Sequence, residues 1–349
     1  MSASILMHFA PLEDPRIERN KLHALSDMVL LTLCAVISGA DGWEAIEDFG
    51  REKLEWLRQF APFTNGVPSD DGIANVIVRL SPKGFQECFR NWTQAVAKAT
   101  GGEVIAVDGK TTRGSRDRQR SRHPLHLVSA WASTHRLLLG QEATEEKSNE
   151  ITAIPKLLEL LERKGGLVTI DAMGCQCTIA EQIVAQGGDY VLGLKGNQSN
   201  LREAVEDCFA VAQQANFAPL RDDYAEELDK DHGRLELRRY WITEELRTLP
   251  ATDRWVGLPS MGMVERTAVI GETQTVEQRY VISSLRADAQ CFAQGVRGHC
   301  GVENRLHWRL EVVFGDDASR IRKGNAPTIM TSIRHLCINL FDQEPSALS

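Results

Sequence analysis

Two aspartates each follow a short apolar run and precede a small residue. Asp108 follows V-I-A-V, and Asp171 follows L-V-T-I. This pattern predicts carboxylates at the carboxyl edge of buried strands, where ligands of open α/β sheets collect. Carboxylates on adjacent strands can share divalent cations, and oxygen ligands suit Mg²⁺ or Mn²⁺. Two such cations would hold the attacking and leaving oxygens of a phosphoryl transfer.

Each aspartate also has a simpler interpretation. An aspartate at a strand end commonly forms a turn or caps the next helix. For Asp108 or Asp171 alone the simpler role is preferred. Their matched positions, and the order of the elements around them, favour the metal-binding role.

A third carboxylate is expected from the last helical stretch, within H-C-G-V-E-N-R-L-H-W-R-L-E. Glu303 lies four residues after His299 and four before His307, so the three share one helical face. Such a face is often only solvated, and these residues would equally suit a zinc site. No further Cys or His pair has convincing ligand spacing, and Cys175 and Cys177 are the only other candidates, which counts against zinc.

The elements that must position these residues change along the chain. Apolar periodicity is helical from about 22 to 99, after a loose lead-in over 1–15. Beyond Gly101-Gly102, strands are predicted over 104–107, 126–133, 136–141, 167–170 and 190–194, with helices over 151–163 and 178–186. Residues 232–285 are mostly β, and 288–341 are helical. This order predicts a mixed α/β layer behind an all-helical front.

Composition limits the function classes. The 349 residues carry a formal charge of −8, which excludes a general DNA coat. Eight scattered cysteines, no apolar run long enough for a bilayer and no secretory start lead us to expect a reduced, cytoplasmic protein without a membrane partner.

Positive charge is concentrated near the candidate carboxylates. Residues 110–122 hold six cations and one acid, a balance of +5, and residues 286–334 hold eight cations and five acids, a balance of +3. A flexible basic loop beside a metal site suits a polyanionic substrate. A solvated surface is the alternative. The candidate DNA contacts are Lys110, Arg113, Arg116, Lys195, Arg305, Arg320, Arg322 and Lys323.

Two tryptophans lie near these charges. Trp131 and Trp308 could stack on a flipped base, but core packing is the preferred prediction for both.

Long motifs occur in a fixed order along nearly the whole chain, from about residue 14 to 341. They include I-A-V-D-G-K-T-T-R-G-S, P-L-H-L-V-S-A, E-K-S-N-E-I-T-A-I-P, T-I-D-A-M-G-C-Q, D-Y-V-L-G-L-K-G-N-Q, H-G-R-L-E-L-R-R, V-E-N-R-L-H-W and D-D-A-S-R-I-R-K-G-N-A-P. This series resembles the ISAs1 family of bacterial insertion-sequence transposases, which includes the H-repeat-associated proteins.

The resemblance implies a DDE transposase with a ribonuclease-H-like core. Motif matching places the catalytic, metal-binding triad at Asp108, Asp171 and Glu303, with Mg²⁺ or Mn²⁺ as cofactor. It implies a helical N-terminal domain over 1–100 and a catalytic domain over 101–349 with a β-rich insertion at about 220–285. The expected reaction is cleavage of element ends and strand transfer into target DNA. A homodimer is expected because two DNA ends must be joined.

This sequence departs from the family pattern at several positions. Cys300 replaces a usual tryptophan, and Glu311 and Asp316 replace a usual aspartate and glutamate. The alternatives are therefore a catalytically inactive or domesticated DNA-binding protein and a structure-specific nuclease that uses the same carboxylates.

Overall fold

A computed structural model describes residues 2–96, 103–116, 123–144, 150–161, 165–217, 223–231 and 234–344. The second half of the basic stretch, residues 117–122, lies outside these ranges, and with it the arginines at 118, 120 and 122.

The N-terminal part is helical, as predicted. Its helices are α1 (Ser2–Phe9), α2 (Leu25–Ile37), α3 (Trp43–Leu57), α4 (Asp70–Ile77) and α5 (Pro82–Val96). The prediction of a loose lead-in over 1–15 was wrong, because α1 packs on α5 through the rings of Phe9 and Phe85, whose centroids are 4.9 Å apart.

One nine-stranded mixed sheet forms the centre of the molecule, in the order β3-β2-β1-β4-β5-β9-β8-β7-β6. Its strands are β1 (Val104–Thr112), β2 (Leu125–Ala132), β3 (Leu137–Thr144), β4 (Leu167–Ile170), β5 (Asp189–Leu194), β6 (Tyr224–Asp231), β7 (Arg234–Thr243), β8 (Ser260–Ile270) and β9 (Thr273–Ser283).

The first five strands form the core of that sheet. β1, β2 and β3 are antiparallel neighbours, whereas β1, β4 and β5 run parallel. Parallel neighbours need crossover connections, and α6 (Glu150–Glu159) and α7 (Cys177–Ala185) lie in them. With the helical front, this arrangement confirms the predicted α/β class with a ribonuclease-H-like mixed sheet.

β1 is longer than predicted. Its parallel ladder with β4 ends at Val107 and Ile170, but its antiparallel ladder with β2 continues to Thr112. Asp108 therefore lies inside β1 rather than at its end, because β2 still supplies hydrogen-bond partners where β4 has stopped. The prediction for Asp171 is correct, since it directly follows β4.

The predicted β-rich segment supplies the other four strands. β6, β7, β8 and β9 form an antiparallel meander, and β9 pairs antiparallel with β5. The segment therefore extends the core sheet and does not form a separate one.

Helices cover both faces of the sheet. Alternate residues of β1 point to opposite faces: Ile105 and Val107 share a core with α6, α7 and α8 (Ser199–Gln214), while Ala106 shares one with the N-terminal helices and α10 (Ala326–Asp342). Val104, on the Ala106 side, packs near α9 (Ala289–Val302). Asp108 belongs to this second face. No helix among the described residues is long and apolar enough to cross a membrane.

Candidate metal centre and DNA-facing surface

Asp108 and Asp171 lie side by side. Val107 and Ile170 are paired in the parallel ladder, and each is followed directly by an aspartate. One oxygen of each carboxylate accepts a local backbone hydrogen bond: Asp108 Oδ1 from the N–H of Gly109 at 2.9 Å, and Asp171 Oδ1 from the N–H of Met173 at 3.0 Å. Asp171 thus also fills the simpler role of a cap, and its second oxygen remains for other contacts.

Glu303 reaches Asp108 from a widened end of α9. The α-helix ends at Val302 and continues as two π-helical turns, Glu303–His307 and Arg309–Val313. Such π-helical turns frequently mark functional sites. The side chain of Glu303 is 75% exposed and its Oε2 lies 3.4 Å from Nδ1 of His307. A substrate outside the protein can therefore reach this carboxylate.

Asp108, Glu303 and His307 form one cluster. His307 Nδ1 lies 3.5 Å from Asp108 Oδ2, and one ligand atom from each of the three residues lies within 4.8 Å of the others. Among the described residues, these three are the potential metal ligands whose atoms lie close enough together to bind one ion. Asp171 lies outside this group and approaches Asp108 along the strand edge.

Burial and neighbouring charges act on Asp108 in opposite directions. Burial raises the pKa of the Asp108 carboxyl, and the carboxylates of Asp171 and Glu150 raise it further. His307 and the N–H of Gly109 oppose this rise. Like charges held this close are costly unless a cation lies among them. The electrostatics of the site therefore favour a bound cation.

The donor set fits Mg²⁺ or Mn²⁺. Carboxylate oxygens from Asp108, Glu303 and the adjacent Asp171 are the hard ligands these ions take. His307 is 5% exposed and its Nε2 has no hydrogen-bond partner among the described residues, so its polar surroundings lie on the Nδ1 side, at the carboxylates.

The alternative zinc set does not assemble. His299 Nδ1 pairs with Thr169 Oγ1 at 3.2 Å and is absent from the cluster of described metal ligands. Cys175 is completely buried, and burial raises the pKa of its thiol to about 12. A thiol that keeps its proton is a poor zinc ligand.

A cleft of about 330 Å³ opens beside Asp171. Lys195, predicted as a DNA contact, lines it together with Arg202, Arg279 and His299. Arg202 and Arg279 were not predicted from the sequence. Arg202 lies on α8, seven residues after Lys195. Arg279 lies on β9, and the pairing of β9 with β5 brings it near Asp171.

A second group of cations flanks the other side of the cluster. Lys110 lies two residues beyond Asp108 on the same face, and its Nζ is 3.7 Å from Oε2 of Glu311. Arg113 is 82% exposed beside Asp317, and Arg322 Nε donates to the carbonyl of Gly114 at 2.8 Å. The last contact joins the basic stretch after β1 to the basic stretch before α10.

Four further predicted DNA contacts are exposed: Arg116, Arg305, Arg320 and Lys323. The side chain of Lys110, in contrast, is only 14% exposed. Arg320, Arg322 and Lys323 line a shallow cleft against the N-terminal helices, and Arg305 lies on the first π-helical turn.

The two tryptophans differ in solvent exposure. Trp131 is completely buried, as predicted, but Trp308 is 53% exposed, so its predicted core packing was wrong. Leu306 and His307 of the widened turn are buried, whereas Trp308, which follows the turn five residues after Glu303, is exposed.

Comparison with known proteins gives a consistent result. A family model described as "Transposase DDE domain" matches residues 99–340, and a model described as "DDE_Tnp_1-associated" matches residues 6–93. The chain is 44% identical to the H repeat-associated putative transposase YhhI of Escherichia coli (strain K12), a match that covers 97% of this chain and 90% of that protein. It is 42% identical to the putative transposase YncI of Escherichia coli O157:H7, over 97% of this chain and 87% of that protein.

Among solved structures, the chain is similar to a cryo-EM structure of a piggyBac transposase synaptic complex with hairpin DNA. The identity is 10% and the TM-score 0.43, over 99% of this chain and 78% of that chain. The likeness is distant, and no residue role follows from it.

Proposed function

This chain belongs to the DDE transposase family, and we propose that Asp108, Asp171 and Glu303 are the catalytic carboxylates with which it cuts and joins DNA. Mg²⁺ or Mn²⁺ is the proposed cofactor. The substrates are the ends of an insertion sequence and a target DNA.

One observation carries the proposal. Glu303, which follows Asp171 by more than a hundred residues, has an oxygen in one cluster with an oxygen of Asp108, and Asp171 occupies the next position of the adjacent strand. The sequence motifs alone indicate the same three residues. Their convergence at one sheet edge supports a common role.

Two successive reactions would use these carboxylates. Hydrolysis of a phosphodiester at the element end frees a 3′-hydroxyl. That hydroxyl then attacks a phosphodiester of the target, forms a new P–O bond and releases the target's own 3′-hydroxyl. Bound divalent cations would polarise the phosphodiester and favour deprotonation of the attacking water or hydroxyl. The protein's part is positional and electrostatic, without a covalent protein intermediate.

The cations on both sides of the triad would hold the DNA backbone. Lys195, Arg202 and Arg279 line the cleft beside Asp171, while Lys110 and Arg322 belong to the group beyond Asp108. Phosphate contacts of this kind fix the position of a duplex without reading its sequence. DNA passing between the two groups would present a phosphodiester to the triad.

The assembly and location follow from the reaction. Because two element ends must be brought together, we propose a homodimer on paired ends, acting in the cytoplasm where bacterial DNA lies. The division into a helical N-terminal domain (1–100) and a catalytic domain (101–349) is proposed on the same basis as the triad, from the order of the motifs.

The test is cleavage of DNA that carries the inverted repeats flanking the gene. Purified protein with Mg²⁺ or Mn²⁺ should nick at the repeat boundary, and Asp171→Asn should reduce the rate by at least about 10²-fold. Glu181→Gln, an exposed carboxylate change on α7, is the matched control and should leave the rate unchanged. Binding of the repeats without cleavage under either ion would instead support the inactive, DNA-binding alternative. Cleavage without any joined product would support the nuclease.

A further inference from the structure

His307 occupies a specific place in the proposed site. It is nine-tenths buried, and its Nδ1 lies between two carboxylate oxygens, 3.5 Å from Asp108 Oδ2 and 3.4 Å from Glu303 Oε2. Hydrogen bonds from an imidazole to a carboxylate are shorter, at about 2.7–2.9 Å. The contacts of His307 Nδ1 are longer than this, which leaves room for an ion among the three atoms.

The separations match those of ligands around one ion. Two ligand atoms that each lie about 2.1 Å from a divalent cation are about 3.0–3.5 Å apart when adjacent in octahedral or tetrahedral geometry. Both contacts of His307 Nδ1 fall at this spacing. An acidic pair alone would carry little weight, but here a buried ring nitrogen faces the same space.

We propose that His307 is a further ligand of the metal centre and that its Nδ1 binds the same cation as Asp108 and Glu303. This inference rests on the proposed function. The cation site would then hold one nitrogen and at least two carboxylate oxygens. Asp171 lies outside this group and would contribute from the other side of Asp108.

The other ring nitrogen, Nε2, is buried and has no hydrogen-bond partner in the described part of the chain. The polar contacts of the ring described here are therefore those of Nδ1 with the two carboxylates. His307 also belongs to the same π-helical turn as Glu303, which places both side chains against Asp108.

A nitrogen ligand has a consequence for metal choice. Imidazole suits transition-metal ions, whereas Mg²⁺ takes oxygen ligands almost exclusively. We therefore expect the site to bind Mn²⁺ more tightly than Mg²⁺ and expect His307 to cause part of that preference.

The test uses Mn²⁺ and the full-length protein without DNA. Pulsed electron paramagnetic resonance of the bound Mn²⁺ should show coupling to a directly bonded ¹⁴N nucleus, and labelling with ¹⁵N-histidine should change that coupling. This measurement needs no substitution, so a folding defect cannot obscure it. Bound Mn²⁺ without nitrogen coupling would overturn the inference.

Variants assign the signal. His307→Gln should abolish the coupling and weaken Mn²⁺ binding by at least about tenfold, with a smaller effect on Mg²⁺, and His307→Asp should restore binding without the coupling. His299→Gln, a matched change one turn before Glu303, should retain the coupling; its loss in that variant would assign the nitrogen to His299 and contradict the inference.

The carboxylate variants separate this inference from the proposed function. If Asp108→Asn and Glu303→Gln lose Mn²⁺ while the wild-type ion shows no nitrogen coupling, the carboxylate site stands and the role of His307 is refuted. If Mn²⁺ binding is unchanged by Asp108→Asn and Glu303→Gln, both the inference and the proposed site are refuted.

Discussion

Asp316 is a completely buried carboxylate that ties β1 to the C-terminal helix. Its oxygens accept hydrogen bonds from Thr112 Oγ1 at 2.8 Å, Thr331 Oγ1 at 3.2 Å and Arg334 at 2.6 Å. Thr112 ends the strand that bears Asp108. Asp316, which departs from the family pattern in sequence, thus has a structural role: it anchors Thr112, four residues after the proposed metal ligand Asp108.

Asp316→Ala should therefore destabilise the fold strongly. Arg334 is only 4% exposed and would be left as a buried, unpaired charge, which costs about 3–5 kcal/mol. Asp317→Ala is the matched control, because its partner Arg113 is 82% exposed and such pairs contribute about 1 kcal/mol or less. Urea unfolding measures both; equal losses of unfolding free energy would contradict the assignment.

His335 makes the fold sensitive to acid. It is buried on α10, where its Nδ1 pairs with Gln141. Burial, followed by the positive charges of His307, Arg334 and Lys110, lowers its pKa to about 3. The unfolded chain takes up this proton near pH 6.5, so the unfolded state binds more protons below that pH and stability is lost as the pH falls from about 6.5 toward 3.

The expected slope is measurable. Between pH 6 and 5 each such histidine should lower the free energy of unfolding by about 1.4 kcal/mol per pH unit. His335→Gln, which retains a partner for Gln141, should reduce the slope by nearly this amount. Urea unfolding at several pH values gives both slopes, and identical slopes in the two proteins would refute the role of His335.

At the scale of elements, α9 packs closely against the sheet because it has glycines, Gly295 and Gly298, where it crosses the strands. Glu303 directly follows this helix. A Cβ at Gly298 would lie 2.6 Å from Cγ1 of Val104 and 3.0 Å from Oγ of Ser133, and one at Gly295 would lie 2.7 Å from Leu167. The Ser133 hydroxyl also donates to the Gly298 carbonyl at 2.9 Å. The close approach of α9 to β1 and β4 fixes how far Glu303 lies from Asp108.

Gly298→Ala should consequently displace the helix. Overpacking of this kind costs about 1–3 kcal/mol and should weaken Mn²⁺ binding at Asp108 and Glu303. Gly301→Ala on the same helix is the control: its Cβ would meet no described atom within 4 Å, so the better helix former should stabilise by about 0.5–1 kcal/mol. Thermal unfolding and Mn²⁺ titration compare the two; a stabilising Gly298→Ala would contradict the packing argument.

The elements also show what the sequence could predict. Strand β4 and the position of Asp171 followed from an apolar run and a turn residue, which are local signals. The length of β1 depended on β2 pairing beyond Asp108, a non-local contact. The π-helical turns could not be predicted from the sequence, because the spacing of Glu303 and His307 is compatible with an ordinary α-helix as well. The sequence therefore predicts Trp308 in the core, although its side chain is exposed.

At the scale of the whole molecule, the N-terminal helices and α10 share one hydrophobic core. Ile333, Leu336 and Ile338 of α10 belong to the same buried cluster as Phe85 and Phe89 of α5. The proposed boundary near residue 100 therefore separates two stretches of sequence that depend on each other for burial.

A fragment of residues 101–349 should not fold on its own. Removing residues 1–100 exposes one side of α10 and its apolar side chains to water, at about 25 cal/mol per Å² of apolar surface. We expect the fragment to aggregate or to lack cooperative unfolding, and expect co-expressed residues 1–100 to restore solubility. Circular dichroism and size-exclusion chromatography decide this; a monomeric fragment with a sharp melting transition would contradict it.

The distribution of charge reconciles an acidic protein with a nucleic-acid substrate. The chain carries a net charge of −8, yet exposed cations lie on both sides of the triad, at Lys195 and Arg279 and at Arg113 and Arg322. Acidic residues of the site itself serve the proposed cations. Such polarity suits an enzyme that holds DNA at one edge of its sheet.

The most direct measurement is joining of pre-cut DNA ends that bear a free 3′-hydroxyl to a supercoiled plasmid in the presence of Mn²⁺. The wild-type protein and Glu181→Gln should form the joined product. Asp108→Asn, Asp171→Asn and Glu303→Gln should each bind the ends and form none. Joining that persists in any of the three triad variants would contradict the account.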